Sequence, residues 1–293
     1  MVCLMLEMLF QNIVNGILLG GLYSLMAVGL SLCFGVMRVA NSAQAAMAML
    51  SAYISYWLFV LYGLDPFFSI GISMGILFIL GLGIYRLLVT RIIDTPSPTL
   101  LSFLLLSAVA IVMENSMVMV AGGNIYRAIY TSYTATSLEI AGIVFPIVRV
   151  VGFLISMSVI LVLSLVLKFT YVGKAMRAIT QDREAATLMG VNATRIGSIT
   201  FGIGAALSGI AGVFLALIYA FYPAVQGLWI AKLYAIVIFG GMGSVPGAML
   251  ASMILGMVEA VIGVYIPTMW AYVAAYIILL LTLFIRPTGL LGR

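Results

Sequence analysis

Side chains able to do chemistry are scarce in this chain, and their densest gathering is the stretch KFTYVGKAMRAITQDREAATLMGVNATR, residues 168–195. It holds Lys168, Lys174, Arg177, Arg183 and Arg195, five of the thirteen basic residues, with two of the eight acids, Asp182 and Glu184. Catalytic uses fail one by one. Histidine is absent from all 293 residues, so Ser–His and Cys–His nucleophiles, imidazole relays and His-based metal sites are excluded. No two carboxylates stand at helical spacing inside the apolar segments, where a general acid and base would have to work together. Cys3 and Cys33 lie in or beside apolar sequence without metal-type spacing, and neither a disulfide nor a metal is expected of them. Gly173-Lys174 looks like the end of a phosphate-binding loop. Ala175, however, stands where a magnesium-binding hydroxyl is needed, and Lys168 where the first glycine belongs. What remains for the run is electrostatic: it can hold a topology or offer a surface.

The elements that position it are written in the composition. Hydrophobic residues make up 65% and charged residues 7%, too little polar surface to clothe a soluble globule of this size. Eight apolar stretches approach the roughly 20 residues of a membrane crossing: 10–34, 47–61, 66–85, 99–120, 147–167, 196–219, 230–264 and 268–285. The fold class expected is an all-α integral membrane protein, one transmembrane domain over 1–293, with no soluble domain left over. The net charge of +5 sits at segment ends rather than on one face, which is a topology signal and not a nucleic-acid footprint. Lipid is the expected neighbour. Short basic loops stay in the cytoplasm, so 168–195 is placed inside and 122–146 outside. The first segment lacks a basic flank and an AxA-like site, and is expected to be retained.

Along the chain, Gly16, Gly20, Gly21, Ser24 and Gly29 predict close helix packing in the first segment, as do Gly197, Gly202, Gly204, Ser208 and Gly212 in the sixth. Gly35, Arg38, Asn41 and Gln44 interrupt the apolar run after the first segment. Two readings stand there: a wall of a translocation path, or a cytoplasmic turn anchored by Arg38. Glu114 reads as a functional acid or as a solvated interfacial one. Tyr126, Arg127, Tyr130, Tyr133 and Glu139 read as an outer docking surface or as an interfacial tether. Residues 174–189 predict one short amphipathic helix along the membrane. The stretch 230–264 is too long for one pass at about 1.5 Å per residue. Gly240-Gly241-Met242-Gly243-Ser244-Val245-Pro246-Gly247 predicts a break, with half-helix ends near Gly240, Gly241, Gly243 and Ser244 offering dipoles to a zwitterion. A re-entrant element there returns the chain to the side on which Arg286 and Arg293 end inside. With the irregularity at 35–41, one or two broken elements and an inverted pseudo-repeat fit.

At the centre of the basic run, Glu184-Ala185-Ala186-Thr187-Leu188-Met189-Gly190 spells EAAxxxG. It resembles the coupling loop of importer-type ABC permeases. Four further runs, GLSLCFGVMRVAN, VGKAMRAITQDREAATLMGVN, IFGGMGSVPGAML and IRPTGLLGR, are similar in order and spelling to the branched-chain amino acid (Liv-type) permease family over nearly the whole chain. The resemblance implies a non-enzymatic transport subunit of a bacterial inner membrane that carries branched-chain amino acids, or urea and short amides as in related permeases. It implies no cofactor on this chain, ATP being held by two separate ATPase subunits. A second related permease, in a heterodimer or a homodimer, and a periplasmic substrate-binding protein complete the implied assembly. Gly173, Arg177, Asp182, Glu184, Ala185, Ala186 and Gly190 fall to ATPase coupling, and Asn41, Gln44, Gly240, Gly241, Gly243 and Ser244 to the substrate path. The family's usual Asn-Phe-Ala-His-Gly-Glu is Asn41-Ser42-Ala43-Gln44-Ala45-Ala46 here, so Gln44 and Ala46 replace a His and a Glu and leave selectivity open. An ion-coupled carrier is the competing class, and it needs buried ionisable groups.

Overall fold

The structure, a computed structural model, describes residues 2–140 and 142–265 together with 273, 276, 277, 280, 281, 284, 286 and 288–291. The last expected crossing, 268–285, falls largely outside the described residues, as does Arg293. Lipid offers backbone groups no partners, so the apolar stretches satisfy themselves as helices: α1 (Val2–Met37), α2 (Gln44–Tyr62), α3 (Pro66–Leu87), α4 (Pro98–Ala121), α5 (Ile147–Phe169), α8 (Ala193–Ile218), α9 (Gln226–Gly240) and α10 (Val245–Tyr265). Among the described residues these eight are long and apolar enough to cross a membrane. The two short helices α6 (Tyr171–Gln181) and α7 (Arg183–Leu188) lie between α5 and α8.

Helix α8 is the axis of the bundle, buried along nearly its whole length. Its small residues admit their neighbours at backbone distance: a Cβ on Gly204 would meet Cys33 Sγ at 2.9 Å, and one on Gly212 would meet the Ala48 carbonyl oxygen at 2.0 Å. The small-residue face of α1 is spent on α10. A Cβ on Gly20 would sit 2.5 Å from Met253 Cα, and one on Gly256 would sit 2.5 Å from the Gly16 oxygen, the close approach that packing in lipid needs. Exposed Leu104, Val112, Leu161 and Val162 on α4 and α5 form part of the apolar outer surface.

The predicted break divides the seventh stretch into α9 and α10. Gly241 and Gly243 take positive φ of 99° and 87°, which glycine adopts freely, and Gly240 and Gly247 touch across the turn. The tip lies at the end of the bundle that carries α6. Gly243 packs on Gly35, near the end of α1, and the Leu290 and Leu291 amides donate to the Phe239 and Gly240 oxygens at 2.8 and 3.1 Å. The basic run, the α9–α10 tip and the described tail therefore share one end, as the topological count requires.

The opposite end is better ordered than a tether. β1 (Ser137–Ile140) pairs antiparallel with β2 (Ile143–Pro146), a hairpin the residue pattern did not reveal. Gln11 clips it to α1, donating to the Val144 oxygen at 2.6 Å and accepting from the Val144 amide at 2.7 Å. Arg127 exchanges backbone bonds with Phe221 and donates from its guanidinium to Tyr56 Oη and the Ala121 oxygen. Tyr133 turns inward onto Phe67 and donates to Asp65 Oδ1 at 3.1 Å, and burial, reinforced by the Asp65 charge, pushes its phenol up to about 12. Tyr126 and Tyr130 stay exposed, Tyr126 with its ring tilted against Tyr222 at 4.6 Å.

Candidate functional site

The basic run folds as a two-helix bracket, and three short polar side chains set its corners. Thr170 accepts from the Gly173 amide at the start of α6, Asp182 from Ala185 at the start of α7, and Asn192 from Arg195 at the start of α8. The single helix expected over 174–189 is thus two, because Asp182 leaves the helix and caps the next one. Gly173 makes the sharp corner out of α5: a Cβ there would lie 2.0 Å from the Leu167 oxygen. Arg177 reaches back across the corner and donates to the Leu167 and Lys168 carbonyls, satisfying the end of α5 that the turn exposes.

The amphipathic pattern then does its work. Ala175, Met176, Ile179 and Ala186 bury together with Ile196 of α8, so the bracket is pinned to the bundle. Lys174, Arg177, Glu184 and Ala185 face outward. Arg183 pairs with Asp94 at 3.1 Å, an exposed contact that fixes register more than stability. Past Ala186 the chain presents Leu188 and Met189 at 88% and 85% exposure, and Gly190 turns it with φ 86°. Two large apolar side chains are thus held outward on a basic bracket.

The residues assigned to the path lie in two places. Asn41 and Gln44 are fully buried. Asn41 Nδ2 donates to Gln44 Oε1 at 2.7 Å, while Gln44 Nε2 donates to the Gly204 oxygen at 2.9 Å and the Met26 oxygen at 3.4 Å. Gln44 thereby joins α1, α2 and α8. Gly243 and Ser244, by contrast, border a cavity between the α9–α10 tip and the bracket, facing Gly173, Met176 and Arg177; Gly240 and Gly241 sit at the root of that tip. The two groups are not brought together.

One acid gains a partner, and one pair was missed from sequence. Glu114 is tied down, accepting from Gln226 Nε2 at 2.9 Å at the start of α9, where the helix's free amides favour a carboxylate. Lys232 was not singled out, yet its Nζ lies 2.8 Å from both carboxylate oxygens of Glu259 across the α9–α10 hairpin, the two side chains 3% and 14% exposed. A lone lysine inside an apolar stretch that also holds a lone glutamate was the available signal. Among the described residues no group of three or more His, Cys, Asp or Glu could hold a metal.

A bundle of lipid-facing helices packed on glycine, with a braced polar bracket projecting from its basic end, is a multi-pass membrane transport subunit. The family model described as branched-chain amino acid transport system / permease component matches residues 12–283, and the chain belongs to that family. The high-affinity branched-chain amino acid transport system permease protein LivH of Salmonella typhimurium is 27% identical, over 97% of this chain and 95% of its own. BraD of Pseudomonas aeruginosa, a permease protein of the same description, is 29% identical over the same shares. The probable branched-chain amino acid transport permease protein LivH of Methanocaldococcus jannaschii is 26% identical over 100% of this chain and 96% of its own.

Proposed function

We propose that this chain is the membrane permease of an ABC importer for branched-chain amino acids, working in a bacterial inner membrane. In this reading it binds no cofactor. Two separate ATPase subunits hydrolyse ATP and drive the bracket α6–α7, and a second permease, the same or a related chain, completes the passage fed by a periplasmic binding protein. The observation that carries the reading is the bracket itself. Its inner face is buried on α8, its corner is locked by Gly173 and Arg177, and Leu188 and Met189 project from it. A push on those side chains is transmitted as rigid-body motion to α5 and α8, the two helices the bracket joins.

The buried pair Lys232–Glu259 favours a second reading, an ion-coupled carrier that works alone. Reconstitution separates the two. Vesicles containing the permeases, the ATPases and the binding protein are expected to accumulate labelled leucine only with internal ATP, and to stop when the ATPases are omitted. Uptake by this chain alone, driven by an ion gradient, would overturn the importer reading.

A further inference from the structure

A charged pair in the hydrocarbon region asks for an explanation that packing does not supply. Replacing a buried ion pair by apolar groups of similar volume is often neutral or stabilising, and the hairpin is already secured by glycine contacts along α10. Counting at about 1.5 Å per residue, Glu259 stands roughly 21 Å from the start of α10 at Val245, and Tyr23 the same distance from the end of α1 at Met37. That depth lies inside a hydrocarbon core of about 30 Å. Around the lysine the wall is aromatic. Its Nζ stands 4.6 Å from the ring of Tyr23 and 4.8 Å from that of Trp229, Tyr219 closes on Trp229 at 5.9 Å, and the Tyr23 and Tyr219 hydroxyls lie 3.2 Å apart.

We propose that Lys232 and Glu259 form a subsite for a zwitterionic α-amino acid: Lys232, held over the faces of Tyr23 and Trp229, takes its carboxylate, and Glu259 takes its ammonium. When empty, the subsite is closed on itself, each protein charge standing in for the substrate charge the other will meet. A zwitterion needs both signs within a few ångströms in a medium that solvates neither, and among the described membrane segments this is the place where a cation and an anion meet at depth. Gln44, stapled between backbone carbonyls, supplies no charge. The faces of Tyr23 and Trp229 hold the Lys232 ammonium at depth, so the cation persists when Glu259 turns to the substrate. The two arms that carry the charges meet at the turn 241–244, whose Met242, Gly243 and Ser244 face α6, so opening the pair and moving the bracket act on one hairpin.

This inference rests on the amino-acid permease reading, and the test tells the two apart. The complete reconstituted transporter is assayed for leucine uptake, with isocaproate (carboxylate only) and isoamylamine (ammonium only) as competitors. K232M and E259Q are each expected to raise KM for leucine roughly 10- to 100-fold, the worth of one charge-assisted hydrogen bond, with a smaller change in maximal rate. E259Q should weaken competition by the amine and spare the acid; K232M should do the reverse. In the double variant K232M/E259M the apolar replacements restore packing, so it melts near the wild type yet remains defective for leucine. A double variant with wild-type KM would reduce the pair to a latch and overturn the subsite, as would an unchanged KM in E259Q, and either leaves the permease reading intact. Wild-type vesicles that take up no leucine would sink both.

Discussion

Replacing Gln44 with leucine conserves volume and tests whether this residue holds helices together or serves a passage. Three hydrogen bonds vanish: from Asn41 Nδ2 at 2.7 Å, to the Gly204 oxygen at 2.9 Å and to the Met26 oxygen at 3.4 Å. The two carbonyls belong to helices and keep their ladder partners, so losing the amide costs about 0.5–1.5 kcal/mol at each, the longer bond at the low end. Asn41 is worse placed. Its Oδ1 already lacks a partner, and stranding the buried Nδ2 as well costs about 1–3 kcal/mol. Some of the sum returns because leucine is content in that site, leaving an expected destabilisation of about 2–4 kcal/mol, roughly 30- to 1,000-fold in the unfolding equilibrium. The assay is reversible unfolding of the full chain in mixed micelles of increasing SDS content, followed by helical circular dichroism. Asn41→Ala combined with Gln44→Leu removes both ends of the bond and should cost less than the two singles added, by at least about 1 kcal/mol. A Gln44→Leu chain within about 0.5 kcal/mol of the wild type would refute the staple and return Gln44 to the passage.

The bracket gives three more tests. Gly173→Ala drives a Cβ to 2.0 Å from the Leu167 oxygen, so the α5–α6 corner must open; a loss of at least about 1–3 kcal/mol and a fall in uptake are expected, and a stable, active variant would count against a locked corner. Leu188→Ser with Met189→Ser changes two exposed side chains, so the melting temperature should stay put while co-purification of the ATPases drops at least about tenfold; full co-purification removes these residues from the interface. Gly190→Glu has open space but sits at φ 86°, costing about 1–2 kcal/mol locally, and is expected to uncouple ATP hydrolysis from uptake without unfolding the bundle. At the opposite end, Tyr133 has a raised folded pKa, so the stability from its neutral phenol is full below about pH 10 and fades as pH climbs toward 12; absorbance of the tyrosinate in wild type against Tyr133→Phe reads this directly.

How much of this could be seen beforehand differs by element, for physical reasons. The glycines of α1 and α8 announced close packing correctly because in lipid a small residue has few other uses. The break at Gly240–Gly247 was legible because length, four glycines and a proline allowed nothing else. The 174–189 helix was read as continuous, since its formers are good throughout and Asp182 betrays its capping role only when the chain turns. The hairpin at 137–146 stayed hidden because the side chain that ties it to the bundle, Gln11, lies more than 130 residues away.

What the amino-acid order settled by itself was the solvent and the family: hydropathy and motif spelling are local quantities, and they need no coordinates. Which polar groups meet was decided only by the packed bundle. Asn41 and Gln44, assigned to the path, are bonded across three helices, and Lys232 and Glu259, 27 residues apart and on opposite sides of a break, form one ion pair. Burial in lipid makes such meetings compulsory, because a lone charge there is intolerable, but only the fold of the α9–α10 hairpin chooses the partner.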